Sequence, residues 1–542
     1  MEGFLLDTAR LAIEKDRGIW VNRVLTDYFD RLTKERPDSV AIIEHRADTG
    51  HIVTLTYREL NTHVNCIANR LEHFGIGKED IVSFQLPNWW QFVALVLACC
   101  RIGAICHALM PILRHKELLF MLGQAESKIF ITCQSFRGFN HGELALQLQN
   151  ELPSLKHIFV VDGKGESSFE NQLLTGDAST ETTHATVLTP NDPMQLLYTS
   201  GTTGEPKGVL HTANTLIGTL ITYAERMEFG KNEVVFMPAP LAHQIGFGYG
   251  MLTALVIGAP LLTMDIWHPE TAADLIERYG VTYTFGPTPF LADLTYLPKI
   301  EERDLSAFRL FVTSGAPVPP PLVTAAREKL RTIIVSGWGM TECMMVTTTL
   351  LDGEKVDVSD GFCLPGEQVR IVGGTGKELP HGTAGDLEVR GASLFTGYLK
   401  RPHLYNVNAD GWFNTGDVAR MDAQGYIRIT GRKKDIIIRG GENIPVIEVE
   451  NAIHKMPEVS DVAIVGMPDP RLGERACVFV TLHPGYTLDL PRVTEFLSTD
   501  GVAKQFWPER LEMLNEMPRT PSGKIKKFKL REIAKNLTPS NH

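Results

Sequence analysis

The chain has little that would suggest a metal centre, a stapled secreted fold or a membrane protein. Its eight cysteines, at 66, 99, 100, 106, 133, 343, 363 and 477, show no C-x-x-C spacing. That suggests neither a zinc site nor a disulfide framework, and reduced thiols in a cytoplasmic protein fit best. The first twenty residues lack a signal-type apolar core, because Asp7, Arg10, Glu14, Lys15, Asp16 and Arg17 are scattered through them. The most apolar stretch, Phe92 to Leu109, is interrupted by Arg101 and His107. A buried helix–strand pair is expected there rather than an interfacial or membrane segment. Positive charge is not in excess: the formal charge is −11, which argues against a general nucleic-acid binder. Anionic ligands then have to be held by local basic residues and backbone donors. No internal repeat or low-complexity segment is found.

With 542 residues, the chain is too long for one hydrophobic core, so two or more domains are expected. Hydrophobic and charged fractions of 43% and 22% are those of an ordinary enzyme. From about residue 40 to 430, β-branched runs such as Val40–Ile43, Ile81–Phe84, Lys128–Ile131 and His157–Val161 alternate with helical patterns. Thr56–Phe74, Lys116–Ala125 and Pro269–Tyr279 are examples of the latter. This alternation predicts an α/β fold with largely parallel, buried sheets. Gly and Pro become denser from Gly361 to Gly441, around short strands such as Asp386–Val389, and predict a smaller β-rich subdomain. Composition breaks at Gly431–Gly441. Beyond it a helix at Val446–Lys455, strands at Val462–Gly466 and Ala476–Leu482, and a basic tail predict a compact α+β domain.

The most informative segment is Tyr198-Thr199-Ser200-Gly201-Thr202-Thr203-Gly204-Glu205-Pro206-Lys207-Gly208. Glycine lets backbone N–H groups approach a ligand, hydroxyls add donors, and Lys207 adds a point charge, so such a loop can cradle phosphate. It is not a Walker A sequence, since no Ser or Thr follows Lys207. Gly376-Lys377-Glu378 fails the same test and reads as a surface turn.

The eleven-residue order resembles the phosphate loop of the acyl-adenylate-forming superfamily, which includes acyl-CoA synthetases, luciferases and adenylation domains of peptide synthetases. Four further segments match in order, so the resemblance spans about residues 25–530. Pro240-Leu241-Ala242-His243 places His243 where an aromatic gate stands beside the acyl carboxylate. Gly337-Trp338-Gly339-Met340-Thr341-Glu342 implies that Trp338 flanks adenine, Thr341 contacts the α-phosphate and Glu342 helps hold Mg²⁺. Tyr is common at the Trp338 position. Asp417, in Trp412–Asp417, is implied to accept from both ribose hydroxyls, with Arg432 adding a ribose or phosphate contact. Lys524, in Pro518–Ile525, is implied to reach the active site during adenylation. One departure is Phe506, which stands where relatives carry the lysine of a Tyr-Lys-x-Pro step; no role transfers to it, and whether Lys504 substitutes is open.

The resemblance implies an N-terminal domain over residues 1–433 and a mobile C-terminal domain over 434–542. Lys434 would be the hinge, and Gly440 and Gly441 would let a pantetheine arm pass. The acyl pocket would be lined by His243, Gly246, Phe247, Tyr249, Ser314, Gly315, Gly337, Gly339 and Met344. No acid lies between Pro238 and Leu262, whereas amino-acid-activating relatives carry an aspartate nearby to pair with the substrate ammonium. The implied activity is ATP- and Mg²⁺-dependent ligation of a carboxylic acid to coenzyme A, giving AMP. A medium-chain or alicyclic acid leads, and an aryl acid is second. An enzyme loading a carrier protein and a non-catalytic binding protein are the other readings. The spacing around Lys524 also resembles the site modified by protein acetyltransferases and restored by deacetylases. The oligomeric state is left open, with a homodimer among the options.

Overall fold

The computed structural model describes the chain except residues 7, 176–185, 200–204, 316–317, 434–436, 440–441, 520–523 and 538–542. Two large sheets organise the first 360 residues. One is nine-stranded. From one edge it runs Phe362–Cys363, Met344–Thr348, Ile333–Met340, Leu310–Ser314, Tyr283–Gly286, Val235–Met237, Leu261–Met264, Val40–His45 and Ile52–Thr56. Its centre is parallel and its outer pairs antiparallel. The second has six strands in the order Lys207–Thr212, Pro193–Thr199, Ile105–Ala108, Ile81–Gln85, Ile129–Cys133, His157–Val161. All its pairs are parallel except the first.

A hydrophobic cluster joins the two sheets, taking Ile42, Val235 and Leu261 from one and Val82, Phe84 and Ile129 from the other. Helix Trp90–Ile102 lies wholly inside that cluster and ends on Gly103 in the left-handed conformation, before strand Ile105–Ala108. This is the expected helix–strand pair. Arg101 is tolerated there because its guanidinium meets Asp30 at 2.6 Å and Asn61 at 2.9 Å. Among the described residues no helix is long and apolar enough to cross a membrane. Helix Tyr57–His73 starts on a capping box of Thr56 and Glu59. Helix Pro269–Tyr279 has Pro at its first turn and Gly280 in the left-handed region after its end. Those local signals set the observed ends within a residue or so of the expected ones.

Four antiparallel strands, Glu367–Val372, Gly385–Gly391, Phe413–Met421 and Ile427–Arg432, form the expected β-rich unit. Beyond it, Val459–Asp469 and Gly473–Leu482 pair antiparallel, and Arg510–Met513 adds in parallel. Helices Val446–Ile453 and Leu490–Thr499 cover one face through Val449, Ile453, Val493 and Leu497. Helix Lys527–Lys535 packs Leu530 and Ala534 on Val465 and Phe479.

The N-terminus is more than a leader to the first strand. Leu5 N–H donates to Thr396 O at 2.6 Å, and Lys400 N–H donates to Glu2 O at 3.0 Å. A Cβ on Gly3 would lie 2.1 Å from Tyr398 O, and one on Gly397 would lie 2.0 Å from Gly3 O. Only glycine permits that approach. Helix Thr8–Arg17 follows, with Arg10 donating to Phe395 O at 2.9 Å.

Candidate active site

The candidate residues gather where parallel strands of the nine-stranded sheet end, the usual location of ligand clefts in α/β folds. Strand Ile333–Met340 carries Gly337, Trp338 and Gly339, and Met344–Thr348 folds back against it. A Cβ would sit 2.5 Å from Thr347 O at Gly337 and 2.0 Å from Met344 O at Gly339. Those two glycines let the strands close up. Between them and Met344, which holds a left-handed φ of 52°, project Thr341 and Glu342.

Each polar group here is held by another. The indole N–H of Trp338 donates to Asp417 Oδ2 at 2.9 Å. Asp417 stands opposite Arg432 in the ladder, and Arg432 Nε lies 2.7 Å from Asp417 Oδ1. Tyr398 O–H donates to Glu342 Oε1 at 2.9 Å. Burial raises the Glu342 carboxyl above the usual carboxylate range, while Tyr398, Lys207 and Arg432 oppose that rise. The Lys207 ammonium lies 5.1 Å from the Tyr398 ring centroid. His211 Nε2 donates to Thr341 O at 2.7 Å and its Nδ1 is 3.0 Å from Thr215 Oγ1. Burial takes this imidazole down to about 4, so it is neutral and fixes the backbone of Thr341.

Lys524 enters the same cleft from the C-terminal region. The residue is exposed overall, and its side chain passes close to Gly315. A Cβ on Gly315, which has φ 87°, would lie 3.0 Å from Lys524 Cε and 3.6 Å from its Nζ. Burial and then Arg432 lower the Lys524 ammonium to about 8, against the opposite pull of Asp417 and Glu342. His243 is lowered to about 4 by burial and by Lys524. Its Nδ1 accepts from Ile245 N–H at 3.3 Å. Thus Lys524, Arg432, Asp417, Glu342, His243 and Gly315 share one electrostatic environment.

The residues expected along the acyl chain are packed rather than open. Phe247, Met344 and Tyr249 are only 0%, 1% and 2% exposed. Gly246, Phe247 and Tyr249 lie in a π-helical segment, Ile245–Leu252, a form that recurs at functional sites. At Gly246 a Cβ would lie 2.2 Å from Pro240 O, so backbone packing demands glycine. At Gly248 the Cβ would meet Met344 Cε at 2.7 Å, the flexible end of a side chain. Gln244 donates to Met344 Sδ. Tyr249 is locked by Tyr283, whose hydroxyl donates to Tyr249 O at 3.1 Å, and by Met345 N–H. Ser314 ends its strand half-buried beside Gly315. A cavity of about 150 Å³ is lined by Pro240 together with Asn88, Arg114, Trp267 and Phe290.

Ser200, Gly201, Thr202, Thr203, Gly204, Lys434, Gly440 and Gly441 lie outside the described residues. The strands flanking the phosphate-loop segment pair antiparallel with Lys207 opposite Thr199. Phe506 packs on the C-terminal core. Sequence reasoning missed Tyr398 and His211. They touch Glu342 and Thr341 across 56 and 130 residues, and neither sits in a motif that marks it.

Residues 29–399 match the AMP-binding enzyme model, and residues 448–524 match the AMP-binding enzyme C-terminal domain. The medium-chain fatty-acid–CoA ligase of Escherichia coli K12 is 36% identical, over 98% of this chain and 94% of its own. The 2-hydroxy-7-methoxy-5-methyl-1-naphthoate–CoA ligase of Streptomyces carzinostaticus is 32% identical, over 95% of this chain and 94% of its own. Among solved structures, ATP-bound MatB from Rhodopseudomonas palustris superposes with a TM-score of 0.84 at 28% identity, covering 95% of this chain and 99% of that one. The chain belongs to the AMP-binding enzyme family.

Proposed function

We propose that this enzyme is an ATP-dependent, AMP-forming carboxylic acid–CoA ligase acting on medium-chain fatty or alicyclic acids. The observation that carries the reading is the approach of the Lys524 side chain to Gly315, within electrostatic reach of Glu342, Asp417, Arg432 and His243. The E. coli relative, named as a medium-chain fatty-acid–CoA ligase, supports the substrate class. Aryl acids are the second reading, favoured by the naphthoate–CoA ligase relative.

A carboxylate is a poor electrophile until one oxygen is converted into a leaving group. A substrate carboxylate oxygen attacks the α-phosphorus of ATP, and the bond to the bridging oxygen of pyrophosphate breaks. Lys524, Thr341 and the phosphate-loop donors stabilise charge on the five-coordinate phosphorus. The CoA thiolate then attacks the acyl carbon, and AMP leaves with the former carboxylate oxygen. No cluster of three ligating side chains exists among the described residues. Mg²⁺ suits one carboxylate plus nucleotide phosphates, and the buried Glu342 carboxylate, oriented by Tyr398, fits that requirement. When bound, Mg²⁺ would neutralise phosphate charge. A neutral His243 beside Lys524 places no second cation at the acyl carboxylate.

Residues 1–433 and 434–542 act as two domains in this reading, pivoting at Lys434 between half-reactions. Lys434→Pro should leave pyrophosphate exchange within about twofold and lower thioester formation, because proline fixes φ. An equal fall in both would remove the hinge. Acetylation of Lys524 would switch the first half-reaction off by removing its charge. The direct test is a panel of carboxylic acids with ATP, Mg²⁺ and CoA. AMP and pyrophosphate are expected with medium-chain or alicyclic acids, and background exchange with amino acids. Formation of ADP and phosphate would overturn the mechanism.

A further inference from the structure

The Trp338–Asp417 hydrogen bond links a wall of the cleft to a carboxylate 79 residues away in the chain. Both partners are buried, at 8% and 3% exposure. The indole is held in turn by a cluster that includes Val209, Cys343, Val346 and Phe413. Its N–H therefore points from a fixed place. A carboxylate is otherwise soft about its terminal torsion, which is broad and roughly two-fold. Pinning Oδ2 sets the plane of the whole group.

The other oxygen is in a different condition. Asp417 Oδ1 is buried and close to Arg432 Nε. It has no aligned hydrogen-bond partner among the described residues. A buried acceptor without a donor is costly, so the arrangement leaves a place for a donor from a ligand. An ionised carboxylate has about four lone-pair sites. Trp338 occupies one of them and Arg432 lies against Oδ1, and the rest are presented in a plane that the indole defines.

We propose that Trp338 is a positioning residue for ribose: its N–H orients Asp417 so that the carboxylate accepts from the vicinal diol of the nucleotide. This rests on the reading of the cleft as the ATP site and adds to it a selectivity mechanism. Trp338 needs no contact with the diol itself. Its effect is transmitted through Asp417, whereas its ring can serve adenine independently. The two roles are separable, because Trp338→Phe keeps an apolar ring and removes only the donor.

The test is pyrophosphate exchange with ATP and with 2′-deoxyATP, reported as the ratio of kcat/KM values. A ratio cancels differences in folded fraction between preparations. Trp338→Phe should lower the ratio about tenfold, the worth of one hydrogen bond to a charged acceptor, mainly through KM for ATP. Asp417→Ala should abolish the discrimination. If Trp338→Phe leaves the ratio at the wild-type value while lowering both activities equally, Trp338 is merely structural and the proposal falls. If Asp417→Ala leaves both the ratio and the KM for ATP unchanged, the ribose reading itself fails, whatever Trp338 does. Should the Phe variant not accumulate, Trp338→Met serves, since it keeps apolar bulk and likewise removes the donor. A wild-type ratio in that variant would equally overturn the proposal.

Discussion

The proposed nucleotide side and the proposed acyl side of the cleft are built by different means. On the first, side chains are specified by what they bond: Trp338 to Asp417, Tyr398 to Glu342, His211 to Thr341. On the second, hydrogen bonds hold Tyr249, but Phe247 against Phe92 and Met344 over Gly248 are set mainly by volume. A polar constellation tolerates few residue types, because each buried donor or acceptor needs a partner. An apolar pocket tolerates many, provided the total volume is kept. In the proposed reading, chemistry is held mainly by bonds, and substrate choice mainly by packing that can change.

The strongest way to break this contrast is Lys524→Ala. Acyl-AMP formation should fall about 10²–10³-fold for every acid tested, the usual cost of losing a charged transition-state contact. Thioester formation from preformed acyl-AMP should stay within a few-fold. A variant whose loss depends on the acid would mean that Lys524 belongs to the acyl side instead.

That division also explains what was legible beforehand. Thr341, Glu342, Asp417 and Arg432 could be proposed because they stand in segments of fixed local order. The two large sheets were legible as alternating strands and helices, and helix Pro269–Tyr279 was readable from its own terminal proline and glycine. Tyr398 and His211 were not, since their significance is a contact made across the fold. Nor was the tight packing of Phe247, Tyr249 and Met344, because space depends on neighbours that no local pattern names.

The pH response sharpens the same contrast. With Lys524 at about 8 in the free enzyme, its cation is present below that pH and lost above it. The kcat/KM for ATP in adenylation should drop about tenfold per unit above pH 8. Lys524→Arg should flatten that limb, as arginine stays protonated. An unchanged limb in the Arg variant would assign the titration elsewhere.

Smaller effects should separate the two sides further. Tyr398→Phe leaves Glu342 without its hydroxyl donor. The Mg²⁺ concentration giving half-maximal exchange should rise about fivefold, within the worth of one hydrogen bond, with acid preference unchanged. A shift in acid preference would contradict the separation. Met344→Ala should do the reverse. Exchange profiles over acids of increasing chain length should move by about two- to fourfold towards longer ones, roughly one methylene of apolar burial, while KM for ATP holds. A raised KM for ATP with the same acid profile would place Met344 with the nucleotide.

The contact between Gly3 and Gly397 carries a practical consequence for anyone handling this enzyme. The chain's first residues form part of the wall behind Tyr398, whose hydroxyl steadies Glu342. Trimming the leading residues to make a shorter recombinant product would therefore loosen an active-site support from behind.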